Sequence, residues 1–266
     1  MYRRNIKVLI LGGGNAARRY VESFIFYDDM KMTLVSFSLR NKTEALAQEF
    51  NIECFPFFML TRENINRYDC ICVCVPLNAK YKIIHHLIEK LGYVNSILIE
   101  KPLTLDFIEL IGYNNLLRGR EKIGIAYLRR YIDDYIEFPC YNYYDIQYST
   151  FTDNLIYNLE HMLPHLLEWI IRENHMVELT HLSGRAIYGK IDGKKARIEF
   201  CTSDNGRIII NGNSINNPDH IIANRKMLFK VLIANQKELL DLLKISSVIL
   251  IQIENLKNKI RFDGSD

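Results

Sequence analysis

Three consecutive residues, Glu100, Lys101 and Pro102, place groups capable of acid–base chemistry at an unusual point in the chain. They follow the apolar run Ser96–Ile99, which is predicted to be a buried strand. Ionisable groups at the end of a buried strand are costly unless they meet a ligand, and ligands bind at that edge of open α/β sheets. A lysine there can donate or accept a proton, particularly if burial lowers its pKa toward neutrality. Glu100 would then position the Lys101 ammonium group or offset its positive charge.

A glycine-rich turn near the N-terminus is the second chemical feature. The apolar run 6–11 ends at Gly12, and residues 16–27 carry helix-forming side chains, so the order is strand, turn, helix. The pattern Gly12-x-Gly14-x-x-Ala17 fits a dinucleotide fingerprint, in which the helix N-terminus faces the pyrophosphate. At the first strand of an alternating α/β chain, this pattern favours nucleotide binding over a merely tight turn. The residues predicted to contact the cofactor here are Gly12, Gly13, Gly14, Asn15 and Ala16.

The end of the second predicted strand, 32–37, bears on the choice of dinucleotide. An NAD enzyme usually carries an acidic residue here, which accepts a hydrogen bond from the ribose 2′-hydroxyl. In an NADP enzyme an arginine accommodates the 2′-phosphate instead. This chain has Ser38, Arg40 and Lys42 and no acidic residue between them. Ser38 and Arg40 are therefore predicted to bind the cofactor and to favour NADP(H), with NAD(H) as the alternative. A solvated charged loop is the other interpretation of this stretch.

Together, the glycine turn and the Glu100-Lys101-Pro102 tripeptide resemble the glucose-fructose oxidoreductase and inositol dehydrogenase (Gfo/Idh/MocA) family of NAD(P)-dependent oxidoreductases. In that family the Glu-Lys-Pro signature places a lysine between the nicotinamide and the substrate. The resemblance implies that Lys101 is catalytic and handles the proton that accompanies hydride transfer, with Glu100 beside the cofactor. The alternative is a structural role, in which Glu100 and Lys101 form an ion pair at the entrance to a helix and Pro102 lies near the start of that helix.

A third loop is compared with the family pattern Thr-Pro-x-x-x-His, whose residues contact the cofactor. Here Val75 replaces the threonine, Pro76 is retained and Lys80 replaces the histidine. Val75 and Pro76 are predicted to contact the cofactor. Asn78 and Lys80 are expected to be helix-start or surface residues.

The second half of the chain offers further candidate site residues. Arg129 and Arg130 resemble the family's Arg-Arg-Phe/Tyr, and they could bind a polar substrate group or form a salt bridge that joins the domains. His161 matches the histidine of the family's His-x-x-Asp helix, but Pro164 stands at the aspartate position. His161 could be the acid/base partner of Lys101, with a structural role as the alternative. His165, one helical turn later, is a structural residue or a substrate contact. No metal site is predicted, because this pair lacks a third ligand.

The fold class predicted is α/β, an N-terminal Rossmann doubly wound parallel sheet followed by a reduced α+β domain of mostly antiparallel sheet. The boundary is expected between residues 127 and 128, which gives a dinucleotide-binding domain, 1–127, and a compact substrate-binding domain, 128–266. In the second domain, alternating patterns and hairpin-like sequences precede an apolar-periodic helical stretch. The predicted strands are 145–151, 181–191, 195–202 and 207–210, the turns are 189–193 and 203–206, and the helical stretch is 224–258.

Composition excludes several classes of protein. The chain has 266 residues, of which 48% are hydrophobic and 24% charged, so it is neither disordered nor fibrous. A net charge of +3 is too small to indicate nucleic acid or a membrane surface as a partner. No apolar run approaches the roughly 20 residues of a membrane helix, so a cytoplasmic location is expected. Cys70, Cys72 and Cys74 alternate along one strand about 7 Å apart, which suits neither a disulfide nor a metal, and they are expected to be reduced.

These observations predict an NADP(H)-preferring oxidoreductase that transfers a hydride between nicotinamide and a small polar metabolite. The resemblance implies a sugar, a cyclitol or a derivative as that substrate. One alternative is reduction of a cyclic imine in secondary-metabolite biosynthesis, which some family members perform. An alternative of another class is a non-catalytic sensor or subunit that binds a dinucleotide. The small-molecule substrate is the main expected partner, together with a second copy of the chain bound through the C-terminal sheet.

Overall fold

The computed structural model describes residues 5–37, 42–127, 138–150, 152–203, 207–215, 220–233 and 236–263. These residues form two compact units. The first unit comprises the described residues within Met1–Thr104, Ile108–Ile132 and Asp219–Leu243, and the second those within Leu105–Phe107, Asp133–Pro218 and Lys244–Asp266. Residues 220–233 therefore lie with the first unit, whereas the prediction assigned everything after residue 127 to the second domain.

The first unit is built on a parallel sheet. Its strands are β1 (Ile6–Leu11), β2 (Met30–Ser36), β3 (Glu53–Pro56), β4 (Cys70–Val73), β5 (Ser96–Ile99) and β6 (Ile123–Ile125). The strand order is β3-β2-β1-β4-β5-β6, so the direction of winding reverses between β1 and β4. This arrangement is a doubly wound Rossmann sheet and confirms the predicted fold of this half. Ligands in such sheets bind at the carboxyl ends of the strands, at the point of reversal.

Helices follow these strands and cover the faces of the sheet. They are α1 (Asn15–Phe24), α2 (Lys42–Phe50), α3 (Arg62–Ile65), α4 (Leu77–His85), which continues in the π-helical turn His86–Lys90, and α5 (Phe107–Leu116). In α1, Ala17, Tyr20, Val21 and Phe24 are buried. Their spacing of three and four residues puts them on one helix face, which packs against the apolar strands. The small Ala17 allows the close packing that the fingerprint predicts.

The second unit contains a mixed, mostly antiparallel sheet, as predicted. Its strands are β7 (Tyr144–Thr150), β8 (Val177–Ser183), β9 (Ala186–Ile191), β10 (Lys194–Thr202), β11 (Ile208–Ile210) and β12 (Asn213–Ile215). The order is β12-β11-β7-β10-β9-β8, and only β7 and β10 among these neighbours are parallel. The burial pattern of β7 alternates strictly, so one of its faces packs on the core.

One strand prediction is wrong. Residues 181–191 do not form a single strand, because β8 and β9 are the arms of a hairpin that turns at Gly184. Gly184 has φ +59°, a left-handed conformation that glycine adopts without steric cost. The turn predicted at 189–193 is confined to Asp192 and Gly193, which are both left-handed, because β9 continues to Ile191. Most of the predicted turn at 203–206 lies outside the described residues.

The helices of the second unit are α6 (Leu155–Tyr157), which runs through the π-helical turn Asn158–Met162, and α7 (Leu163–Arg172). Pro164 is the second residue of α7 and is separated by one residue from the end of the π-helical turn. Within the described part of the chain, no helix combines the length and apolarity needed to cross a bilayer.

Two C-terminal helices complete the chain: α8 (His220–Leu232), and α9 (Gln236–Asp263), whose residues are divided between the units. Helix α8 packs on α1 and on the strands β5 and β6 of the first unit. Asn224 donates to Ser23 Oγ at 3.0 Å, and Arg225 donates to the Ser23 carbonyl at 2.6 Å. The Rossmann core is thus closed by a helix that lies about 200 residues further along the chain than its partner α1.

Candidate active site

The ends of three neighbouring strands assemble the candidate site. Leu11 pairs with Val73, and Val73 pairs with Ile99, so β1, β4 and β5 end side by side. The ladder extends one step further, because Glu100 N–H donates to the Val73 carbonyl at 3.2 Å. Three segments singled out by sequence therefore emerge from one edge of the sheet. These are the glycine turn 12–14, the loop 74–76 and the tripeptide 100–102.

The glycine turn has the backbone that the fingerprint requires. Gly12 has φ +107°, and a Cβ there would lie 2.6 Å from the carbonyl oxygen of Cys74. A Cβ on Gly13 would overlap Thr43, at the start of α2. A Cβ on Gly14, in contrast, would meet nothing within 4 Å. Gly12 and Gly13 are thus required by packing, while Gly14 leaves its backbone open to a ligand.

The start of α1 can hold the phosphates of a dinucleotide. Gly14 is the N-cap residue and offers no side chain to the first helical N–H groups, and the first turn carries no acidic residue. Asn15 is exposed and Ala16 partly exposed, as expected for residues beside a bound cofactor. N–H groups at a helix N-terminus attract anions because they are unpaired and the helix dipole is positive there. These features fit a pyrophosphate.

The loop after β4 places one predicted residue inside the protein and one at its surface. Val75 is buried and Pro76, the N-cap of α4, is exposed. Asn78 is exposed at the start of α4, as expected. Lys80 lies in the first turn of α4, which agrees with a helix start, but it is not a surface residue, because only 2% of its side chain is exposed.

Lys80 is directed at the loop that carries Lys101. Its Nζ donates to the carbonyl oxygens of Glu100, at 2.6 Å, and of Pro102, at 2.5 Å. Burial lowers the pKa of Lys80 to about 8, and the Glu100 carboxylate opposes this change. A signal in the sequence could have revealed this burial, since Lys80 is spaced by four and seven residues from Ile84 and Leu87, which are buried.

Glu100 is held from the other side by Tyr20, which sequence reasoning missed. The Tyr20 hydroxyl donates to Glu100 Oε1 at 2.6 Å. Burial, followed by the negative charge of Glu100, raises the pKa of Tyr20 well above its usual value. The hydroxyl therefore stays protonated and remains a donor. No local pattern predicts this contact, because the two residues are 80 positions apart.

Lys101 has the protonation behaviour that acid–base chemistry needs. Its side chain is partly exposed, and burial lowers its pKa to about 7. The Glu100 carboxylate opposes this change, while Arg19 and Lys80 contribute to it through like-charge repulsion. A group with a pKa near 7 is present in both forms at neutral pH and can act as either acid or base.

Six more residues were predicted to belong to the site. Ser38, Arg40, Arg129 and Arg130 are outside the described residues. His161 lies in the π-helical turn of the second unit, with its ring 4.6 Å from that of Tyr157.

His165 lies in α7 of the second unit and is partly buried, like His161. The roles predicted for these two histidines stay predictions. Among the described residues, no three side chains of His, Cys, Asp or Glu are grouped as a metal site.

Solved structures with the same fold include sugar and cyclitol dehydrogenases. Myo-inositol dehydrogenase from Lactobacillus casei, in complex with NAD(H) and myo-inositol, superposes with a TM-score of 0.69 over 96% of this chain and 94% of its own, at 10% identity. UDP-N-acetylglucosamine 3-dehydrogenase from Acidithiobacillus ferrooxidans gives 0.68 over 96% and 98%, at 12% identity. The WlbA dehydrogenase from Thermus thermophilus, in complex with NAD and α-ketoglutarate, gives 0.66 over 92% and 94%, at 13% identity. At these identities the likeness shows the fold alone.

Comparison of sequences adds a similarity to one family over part of the chain. No curated protein matches the chain in sequence. The model of the Gfo/Idh/MocA oxidoreductase family, described as having an NAD-binding Rossmann fold, matches residues 6–125. This stretch contains the glycine turn, the buried Lys80 and the Glu100-Lys101-Pro102 tripeptide. The Rossmann part of the chain, residues 6–125, is therefore similar to that oxidoreductase family.

Proposed function

We propose that this protein is an NADP(H)-preferring dehydrogenase or reductase of a small polar metabolite, in which Lys101 handles the proton. The observation that carries the proposal is the Lys101 amine, with its pKa lowered to about 7, at the sheet edge that also bears the glycine turn. Solvated lysines titrate near 10.4 and would stay protonated at neutral pH. A lysine that titrates near 7 is suited to exchange protons there.

In this proposal, one set of residues binds the cofactor and Lys101 transfers the proton. Gly14 and the N-terminus of α1 bind the pyrophosphate, and Val75, Pro76 and Glu100 line the cofactor further along the sheet edge. Bound nicotinamide supplies or takes up the hydride. In the oxidative direction, the neutral Lys101 amine accepts the proton of the substrate hydroxyl. In the reductive direction, the Lys101 ammonium donates the proton to the substrate oxygen or nitrogen.

The preference for NADP(H) is proposed from the residues after β2. Residues 38–42 include no acidic side chain that could accept a hydrogen bond from a ribose 2′-hydroxyl, while Ser38 and Arg40 can bind a 2′-phosphate. Lys42, the first residue of α2, adds a positive charge nearby. NAD(H) remains a usable cofactor in this proposal, since it lacks only the group that Arg40 would bind.

The substrate is proposed to be a sugar, a cyclitol or a derivative. The similar structures include dehydrogenases of myo-inositol and of UDP-N-acetylglucosamine, both ring compounds with several hydroxyl groups. Arg129 and Arg130 are proposed to bind polar substrate groups, His161 to share the proton with Lys101, and His165 to contact the substrate.

A homodimer through the sheet of the second unit and a cytoplasmic location, with the cysteines reduced, are also part of the proposal. Alternating positions along β10 leave polar and charged side chains partly exposed, for example Arg197. The dimer can be tested by light scattering on the purified protein.

Two measurements test the proposal. Fluorescence titrations with NADPH and NADH should show tighter binding of NADPH, and a preference for NADH would contradict the role of Arg40. Turnover of a panel of sugars, cyclitols and cyclic imines should then be lost in the variant Lys101→Ala, with NADPH binding retained. The matched control is Lys82→Ala, at an exposed position of α4. Turnover that survives in Lys101→Ala would refute the catalytic role, and NADPH binding without any turnover of the wild type would favour a sensor.

A further inference from the structure

We propose that Lys80 is a positioning residue for Lys101, because it holds the backbone on both sides of Lys101 and places a second positive charge beside it. This inference rests on the proposed function of Lys101. Lys80 occupies the position at which the family pattern has a histidine, so it is a feature of this chain rather than of that pattern.

The geometry is specific to the neighbours of Lys101. The Lys80 Nζ donates to the carbonyl of the residue before Lys101 and to the carbonyl of the residue after it. The peptide group before Lys101 and the peptide group after Pro102 are therefore tied to one buried atom on α4. Rotation of either peptide would break a charge-assisted hydrogen bond, and such bonds are about twice as strong as neutral ones. These contacts restrict the backbone from which the Lys101 side chain leaves the loop.

A surface role does not explain this lysine. Lys80 is among the few charged side chains that the described residues bury almost completely. Taking an ammonium group out of water is costly unless hydrogen bonds and opposite charge offset it. Here two carbonyl oxygens and the Glu100 carboxylate supply that compensation. A methionine or leucine would fill the same space on α4 without this cost, so the charge itself requires a reason.

The charged groups around the two lysines indicate that reason. Lys101 is influenced by Glu100 of its own loop, by Arg19 of α1 and by Lys80 of α4. Lys80 is influenced by Glu100, by Cys74 after β4 and by Glu109 of α5. The two ammonium groups thus share one carboxylate, and Tyr20 donates to that same carboxylate. Without Lys80, Glu100 would act on Lys101 with less competition, and the pKa of Lys101 would rise.

The first test measures Lys101 directly and needs no substrate. The rate at which acetic anhydride modifies Lys101 is followed against pH by mass spectrometry of its peptide. The variants are Lys80→Met, which removes charge and donors, Lys80→Gln, which keeps an N–H donor, and Lys80→Arg, which keeps the charge. Lys82→Met is the control on the exposed face of the same helix. Binding of NADPH and the melting temperature verify that each variant is folded.

The expected result is a Lys101 midpoint near pH 7 in the wild type, in Lys80→Arg and in Lys82→Met, and a higher midpoint in Lys80→Met and Lys80→Gln. An unchanged midpoint in either folded neutral variant overturns the proposal. If neither neutral variant folds, Lys80→Arg decides, and a midpoint that departs from the wild-type value overturns the proposal.

The second test uses a substrate found with the wild type. In Lys80→Met, kcat/KM should fall about 100-fold, the loss typical of a misplaced reacting group. The limb of its pH profile that reports Lys101 should move to higher pH, while the affinity for NADPH stays unchanged. Wild-type values in both readouts would refute the positioning role. If the wild type turns over no substrate, the proposed function fails, and the labelling experiment still decides the role of Lys80.

Discussion

Replacing Lys101 by methionine should stabilise the protein while abolishing turnover. The reason is the cost of holding the Lys101 ammonium away from water. A pKa lowered from 10.5 to about 7 means that the unfolded chain binds the proton more tightly than the folded one. The folded state is therefore penalised in full below pH 7, and the penalty disappears as the pH rises toward 10.5.

The size of the effect follows from the same values. A fall from 10.5 to about 7 corresponds to an upper limit of about 5 kcal/mol. The Lys101 side chain is partly exposed, and solvent screening reduces such energies, so we expect about half of this, ~2–3 kcal/mol, at pH 6. Methionine has a similar length and no charge, and it removes the penalty. The advantage of Lys101→Met over the wild type should shrink by roughly half between pH 6 and pH 9.

Urea unfolding followed by circular dichroism at pH 6 and pH 9 measures this difference. Fluorescence of Trp169, the single tryptophan of the chain, reports the second unit separately. Lys82→Met, a change of the same chemistry at an exposed site, should have little effect at either pH. The reasoning is refuted if Lys101→Met is no more stable than the wild type at pH 6, or if its advantage does not depend on pH.

Three further outcomes are expected. Tyr20→Phe removes the donor to Glu100 Oε1 and should lower the free energy of unfolding by about 1.5–3 kcal/mol; an unchanged urea midpoint would contradict the importance of this bond. Gly14→Ala should leave the melting temperature nearly unchanged, because its methyl group meets nothing within 4 Å, but weaken NADPH binding measured by fluorescence; normal affinity would place the pyrophosphate elsewhere. Asp192→Asn should remove a small stabilisation, under about 1 kcal/mol, because the carboxylate pairs with His175. The pKa of Asp192 is lowered mainly by its hydrogen bond with His175. The loss of stability in Asp192→Asn should therefore be seen near pH 6 and vanish as the pH falls through that pKa. A loss of the same size at all pH values would exclude the Asp192–His175 pair as its cause.

The Rossmann half could be predicted because its determinants are local. The run 6–11, the glycines after it and the helix that follows are neighbours in the chain, and periodicity reports their structure directly. Continuous apolar runs such as β5 indicated buried parallel strands, and the carboxyl ends of such strands meet at one edge. The tripeptide at 100–102 could therefore be placed at the ligand edge without coordinates.

Two expectations failed, wholly or in part, and each failure has a physical reason. The stretch 181–191 keeps a strand-like composition on both sides of Gly184, so the turn was missed although glycine is the residue that permits it. Lys80 was expected at a helix start or at the surface, although its spacing from Ile84 and Leu87 indicates the buried face of α4. The spacing was the better guide, since burial of a helix face depends on periodicity more than on any single residue.

By itself, the sequence determined the alternation of strands and helices in the Rossmann half, the dinucleotide fingerprint and the identity of the candidate acid–base residue. Only the tertiary structure decided the surroundings of that residue. Tyr20, Lys80 and Glu100 come together from a helix after β1, a helix after β4 and the end of β5. The pKa of Lys101 depends on burial and on charges reached through space, and these distances exist only once the sheet has brought separated segments to one edge.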